Sequence, residues 1–374
     1  MAYYVEERPG GPALAPRRPT INEFFLSTYQ VGPYVGCEFG CAYCDGWSFS
    51  QRPFNEVIRA NVDLPDRFAE QLSTISRGDL VAFSLGDAYQ PAEKTYRLTR
   101  QMLQACQVAK QPVLILTKSL AVMDDLTLLQ RMNEQGLAIV VMSIPTIDPL
   151  LSEKLEGKVA PPSARLEALN TLKRAGIPTG VAMLPVIPYL TDTDRQLPMT
   201  LNAIANVQPD FVLWEYLWQP NERHRQRMTD LLSRLGNYPA SYYRELYGKE
   251  MQPSLEYRRE MHRDILGRFE ELNLNPRAPL ELYRNHLAPN NVAALMLKHQ
   301  AFIDQIKGRE LLASRHSNLA EAVFNGKADE PALAVSPLWP MLREVLKISD
   351  SRERLDQILD KVRNPDSPVP PSNE

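Results

Sequence analysis

Long apolar runs are absent from this chain of 374 residues. Nothing in it approaches the roughly 18 consecutive apolar residues that a membrane-spanning helix needs. The opening MAYYVEERPGGPALAPRRPT also lacks the apolar core of a secretory signal. No membrane partner and a soluble, cytoplasmic protein are therefore expected. An excess of either charge is missing too: 42 basic against 45 acidic residues give a net charge of −3. With no global basic field, any contact with nucleic acid has to use a local patch. Internal repeats of solenoid period are not found. Histidine is scarce, with five residues and none before His224, and cysteine is scarcer, with four.

Three of those four cysteines stand together. Cys37, Cys41 and Cys44 form CEFGCAYC directly behind the apolar run Tyr34-Val35-Gly36. Three thiolates on one short loop can hold three irons of a cubane cluster and leave the fourth iron open to a small molecule, whereas a closed structural zinc site requires four protein ligands. Zinc, the common alternative for clustered cysteines, fits poorly. The fourth cysteine, Cys106, sits in a segment of helical character (Tyr96 to Val108) and reads as a small buried apolar residue.

The CxxxCxxC spacing with Tyr43 before the last cysteine resembles the signature of the radical S-adenosylmethionine (SAM) superfamily. The resemblance implies a [4Fe-4S] cluster whose open iron chelates SAM and whose electron cleaves it to methionine and a 5′-deoxyadenosyl radical, which abstracts hydrogen from a substrate in an enclosed site. It also implies an electron donor such as a flavodoxin or ferredoxin.

Residues 1–20 hold several prolines and glycines and read as an extended N-terminal arm. From residue 21 to 220 short apolar runs alternate with amphipathic stretches. The runs are Leu80 to Ser84, Val113 to Leu116, Ala138 to Met142, Thr179 to Met183 and Phe211 to Trp214; helices are expected over Thr95 to Val108, Asp124 to Gln135, Ser163 to Ala175 and Thr193 to Val207. Continuous apolar strands separated by helices predict a covered parallel sheet. With the strand before Cys37 there are about six βα units, too few for a complete eight-stranded barrel. The resemblance implies the same α/β architecture, a partial (β/α)6 radical SAM barrel. Residues 221–363 read as a helical C-terminal domain, with helices over Asn221 to Leu235, Leu255 to Leu272, Asn290 to Gly308 and Leu342 to Val362. Residues 364–374 read as a disordered tail.

Ligands of parallel α/β folds sit at the carboxyl ends of the strands, and those ends are polar here. NEFFLSTYQVGPYVGCEFGCAYC, GDAYQPAE, TKS, SIPT and AGIPTGVAMLPVIP follow, over residues 21 to 220, the pattern of the spore photoproduct lyase-like branch, often labelled DNA repair photolyase. By that resemblance Gly86 and Asp87 contact the methionyl part of SAM, Lys118 and Ser143 match SAM-contacting positions, and Tyr43 lies near the adenine or ribose. A carboxylate can pair with the SAM ammonium and a lysine with its carboxylate. Read alone, Asp87 equally suits a cap for the helix after Pro91, Lys118 a solvated loop charge, and Ser143 and Thr146 the backbone at a strand end. Trp214, Tyr216 and Trp218 alternate on a strand, share one face and are expected to pack on helices, with base stacking as the alternative. Glu215 then faces the barrel interior as a candidate for SAM or substrate contact. The basic run Arg223 to Arg227 reads as a solvated face or, alternatively, a phosphate contact.

The resemblance breaks at two positions. The lyases proper use a cysteine near the end of the second strand as hydrogen donor and a tyrosine after the third cluster cysteine as relay; this chain has Ser84 and Asp45 there. A hydroxyl is a poor hydrogen-atom donor, because its O–H bond is far stronger than a thiol S–H. Ser84 and Glu215 are the candidate catalytic residues. The sequence thus points to a radical SAM lyase-like enzyme acting on an unassigned substrate, nucleic acid by analogy. The alternatives are a peptide or small-molecule substrate, or a non-catalytic iron–sulfur or zinc protein that binds a partner.

Overall fold

The computed structural model describes residues 2–50, 53–235 and 240–347. The chain opens with three short strands, β1 (Tyr3–Glu7), β2 (Tyr29–Val31) and β3 (Tyr34–Val35), then α1 (Gly46–Phe49), β4 (Val57–Asn61) and α2 (Leu64–Leu72). The alternating region follows: β5 (Val81–Phe83), α3 (Glu93–Tyr96), α4 (Leu98–Ala109), β6 (Val113–Thr117), α5 (Leu126–Gln135), β7 (Ala138–Ser143), α6 (Pro149–Glu156), α7 (Pro162–Arg174), β8 (Thr179–Val186), α8 (Gln196–Ala205) and β9 (Phe211–Tyr216). Helices continue as α9 (Glu222–Leu235), α10 (Ala240–Tyr247), α11 (Leu255–Glu271), α12 (Leu280–Tyr283), α13 (Pro289–Ile306), α14 (Glu310–Phe324), α15 (Glu330–Ala334) and α16 (Trp339–Val345). The helix expected to run on to Val362 and the tail from residue 364 lie outside the described residues beyond 347.

Six strands pair in parallel in the order β2-β5-β6-β7-β8-β9, each next to its predecessor in the chain. This is the partial (β/α)6 arrangement. Side chains alternate across each strand, and both faces are buried, which is why these strands read as continuous apolar runs rather than alternating ones. Val113, Ile115, Val140, Met142, Val181 and Trp214 join one core with α2, α4, α5, α7, α8 and α11. Leu114, Ile139, Val141, Ala182 and Leu213 join a second core with α13 and α14. The C-terminal helices therefore cover the sheet directly: α11 lies in the same layer as the crossover helices and α13 on the opposite face. No described helix is long and apolar enough to cross a membrane.

The N-terminal segment differs from the expected bare arm. Tyr3–Glu7 pairs in parallel with β4, while β3 pairs antiparallel on the other side, making a small separate sheet beside the barrel. Tyr4 donates to Glu38 Oε1 at 2.9 Å, and the Ala13 and Leu14 N–H groups donate to Gln71 Oε1. Local proline and glycine content carried no information about a strand partner more than fifty residues away. The first barrel strand is accordingly Tyr29–Val31, upstream of the Tyr34-Val35-Gly36 run. The helix expected from Thr95 is split at Arg97, whose φ of 51° ends α3 before α4 begins.

Candidate functional site

The cysteine loop is fixed from several sides by its backbone. The Cys37 N–H donates to Phe54 O at 3.0 Å and the Ala42 N–H to Leu155 O at 2.8 Å. Trp47 Nε1 donates to Cys41 O at 3.0 Å, Arg227 Nε donates to Ala42 O at 3.0 Å, and His224 Nε2 lies 2.9 Å from Tyr43 O. Arg227 also stacks on Trp47, 3.7 Å from the ring centroid. The run Arg223 to Arg227 thus holds backbone carbonyls at the surface: Arg223 donates to Ser50 O and Arg225 to the carbonyls of Gly248 and Glu250. It braces neighbouring loops from the surface, and Arg223 and Arg227 also line an open surface pocket with Arg234.

The string after β5 braces the same loop. Gln90 accepts from the Glu38 N–H and donates to Gly36 O, each at 3.0 Å. Buried Glu93 accepts from Tyr34 Oη and from the first N–H groups of α4, Thr99 and Arg100. Gly86 turns with φ of 73°, a conformation that a Cβ would strain. Asp87 caps no helix; it accepts from Thr117 Oγ1 at 2.7 Å, the Lys118 N–H at 2.8 Å and the Tyr89 N–H at 2.9 Å, locking the end of β5 to the end of β6. Burial pushes its carboxyl up, and these donors oppose the shift.

Lys118 is no solvated charge. Its side chain is 15% exposed, and Nζ bonds Ser143 Oγ and lies 3.4 Å from Glu156 Oε1. Glu156 in turn accepts from Tyr43 Oη and pairs with Arg165 at 2.6 Å, and both partners of that ion pair are fully buried. Burial alone would push the Glu156 carboxyl up, but Lys118 and Arg165 outweigh it and hold the group below its ordinary value. The sequence reading missed Glu156 and Arg165. A signal existed, since Arg165 falls among Leu166, Leu169 and Leu172 on the apolar side of α7.

Cys37, Cys41, Cys44, Tyr43, Ser84, Gly86, Asp87, Lys118, Ser143 and Glu215 all line one cavity of about 620 Å³ at the carboxyl ends of the strands. That volume suits a small-molecule site. Thr146 is not among its walls; it bonds Gln196 and the Asp148 N–H, the strand-end role. Trp214 and Tyr216 pack on α11 as expected from their shared face. Trp218 does not join them, because β9 ends at Tyr216; it lines the cavity, 39% exposed, against Phe49. Burial pushes the thiols up, Cys44 to about 11 and Cys41 to about 12. A ligand that takes them as thiolates must displace protons.

The sequence model of the Radical SAM superfamily matches residues 31–197, the segment from the end of β2 into α8 that contains the cysteine loop and the strand ends. Residues 31–197 belong to the radical SAM superfamily. An uncharacterized protein of Mycobacterium tuberculosis (strain ATCC 25618 / H37Rv) is 29% identical over 191 residues, 47% of this chain and 55% of the relative, so the match spans little more than half of that protein. An uncharacterized protein of Methanocaldococcus jannaschii is 28% identical over 222 residues, 57% of this chain and 78% of the other. Among solved structures, spore photoproduct lyase complexed with dinucleoside spore photoproduct superposes with a TM-score of 0.56 at 13% identity, covering 72% of this chain and 79% of the lyase. A point mutant of the same lyase gives 0.56 at 15% identity, with the same coverage. At such identities the likeness is one of fold.

Proposed function

We propose that this protein is a radical SAM enzyme that holds a [4Fe-4S] cluster on Cys37, Cys41 and Cys44, with SAM bound beside it, and acts on a nucleobase-containing substrate. One observation carries the reading: a single cavity joins three thiols to the polar ends of β5, β6, β7 and β9. The donor set fits the cluster. Among the described residues no three His, Cys, Asp or Glu side chains converge as a single metal ion requires. Three thiolates of a cubane need not converge, since each takes a different iron. When bound, the cluster supplies one electron to SAM, releasing methionine and a 5′-deoxyadenosyl radical able to abstract hydrogen.

The chain's own residues supply binding, orientation and exclusion of water. Lys118 offers a half-buried ammonium to a carboxylate, and its position is set by Ser143 and Glu156. Asp87 keeps a carboxylate at the cavity wall while tying two strand ends together. Leu116, Leu184 and Pro185 make the remaining wall apolar, which strengthens these charge interactions by keeping water out. Replacing Asp87 or Lys118 by alanine is expected to weaken SAM binding by roughly 1 to 3 kcal/mol each, the scale of a lost charge-assisted hydrogen bond. Equilibrium dialysis measures this, and unaltered affinity in both variants would reduce the two residues to braces.

The substrate class rests on Trp218, which lines the cavity, and on exposed Phe49, whose ring centroid lies 6.3 Å from that of Trp218. Exposed aromatics of this kind stack on bases. The lyase of similar fold is complexed with a dinucleoside lesion. The reaction nevertheless differs from lesion reversal in our reading, because Ser84, which lines the cavity, cannot act as a thiol donor. Incubation with oligonucleotide containing spore photoproduct is expected to give 5′-deoxyadenosine without repair. Repair at about one turnover per second or faster, a typical enzymatic rate, would show that another residue donates the hydrogen.

A further inference from the structure

A second cavity, of about 440 Å³, adjoins the first: Glu215 lines both. Its walls come from the segment before β2 (Glu23, Phe24), from α11 (Arg259), from α13 (Lys298, Phe302) and from α14 (Ala313, Ser317), with Arg277 between them. Arg277 is 5% exposed, yet no carboxylate among the described residues lies within 4.0 Å of its guanidinium; Glu23 and Glu215 act on it from farther away. Nη1 donates to Pro276 O at 2.7 Å, and Nε has no partner among the described residues.

Aromatic rings crowd this guanidinium. Its carbon lies 3.6 Å from the ring centroid of Phe302 and 4.4 Å from that of Phe24. Rings packed against the guanidinium carbon offer its N–H groups no acceptor, and arginine N–H groups, Nε among them, are what grip an oxyanion with two parallel hydrogen bonds. Leaving such a charge buried and unpaired is destabilising, so an incoming anion relieves a cost already present in the fold. Lys298 adds a second cation, with Nζ bonded to Ser317 Oγ at 3.0 Å. Arg259, in the same wall, is already paired with Glu310.

The mixed wall argues against a long polyanion. Glu23, Glu215 and Glu310 would repel an extended phosphodiester backbone, whereas one compact group can sit at the Arg277 edge alone. We propose that the second cavity is a subsite for a compact oxyanion, a carboxylate or a phosphate monoester, on the part of the substrate that extends past Glu215. The proposal rests on reading the first cavity as the reaction site, but its test does not.

The test is calorimetric titration of the full chain, without cluster or SAM, with inorganic phosphate and separately with acetate at low ionic strength. One saturable site is expected for at least one of them. Tighter phosphate names a phosphate monoester, and tighter acetate names a carboxylate. Arg277→Lys, which keeps the charge and loses the fork, is expected to weaken binding at least tenfold. Ala313→Leu, which fills the cavity from α14 and leaves the arginine in place, is expected to abolish it with an unchanged circular dichroism spectrum. No saturable binding of either anion up to tens of millimolar, or binding indifferent to both substitutions, overturns the subsite. A null titration leaves the first cavity's reading intact, and absence of SAM cleavage would not touch anion binding.

Discussion

Anaerobically reconstituted protein is expected to carry about four irons and four sulfides per chain, and Cys37→Ala, Cys41→Ala and Cys44→Ala are each expected to reduce this to near zero. The effect is all-or-none because the loop offers no replacement. Its carbonyls and N–H groups are held by Phe54, Leu155, Trp47 and Arg227, so the backbone cannot slide to bring another donor forward. Cys106, the fourth cysteine, is completely buried on α4 in the core beneath the sheet and does not line the cavity. Cys106→Ala should therefore bind iron like the wild type. Iron and sulfide analysis with the visible absorption spectrum distinguishes the variants. A stable, colourless, zinc-loaded protein without affinity for SAM would defeat the cluster reading, whatever the outcome of the alanine series.

The strands were legible because burial on both faces writes itself as runs such as Val113-Leu114-Ile115-Leu116, and the chain-order topology left few ways to arrange them. The candidate residues were legible as a set for a related reason. In a parallel sheet the residues that follow each strand meet at one end, so Gly86, Asp87, Lys118, Ser143 and Glu215 converge although they span some 130 positions. What sequence could not supply was the partner of each polar group. Read alone, Asp87 suited a helix cap as well as a ligand, and it ties one strand end to the next; Arg223 to Arg227 read as a solvated face or a phosphate contact, and their guanidinium groups grip backbone carbonyls. Tyr3–Glu7 looked like an arm because its partner strand is β4, remote in sequence. These are long-range pairings, and local pattern carries no record of them. Arg277 was passed over for the same reason: only the folded chain packs Phe24 and Phe302 against its guanidinium.

Glu156 is where the site and the stability of the fold meet, and Glu156→Gln is expected to destabilise the protein by about 3 to 5 kcal/mol. The side chain is isosteric, so packing is kept and only the charge is lost. That loss strands Arg165, which is completely buried and, among the described residues, otherwise bonded only to Ser143 O and Ser152 Oγ, and it removes an ionic partner of Lys118. Glu153→Gln, on the exposed face of the same helix, serves as the control and should fall within about 0.5 kcal/mol of wild type. The pH dependence gives a second readout with a definite sign. Because the folded protein holds the Glu156 carboxyl below its ordinary value, the unfolded chain takes up the proton first as pH falls. The stability that ionised Glu156 confers is thus complete above the ordinary carboxylate range and is lost as pH drops through the folded value. The gap between wild type and Glu156→Gln in urea unfolding should accordingly be widest near neutrality and narrow on acidification. A gap below about 1 kcal/mol at neutral pH, or one that widens with acid, would mean that Arg165 finds another partner and that Lys118 and Tyr43 are positioned by something other than this carboxylate.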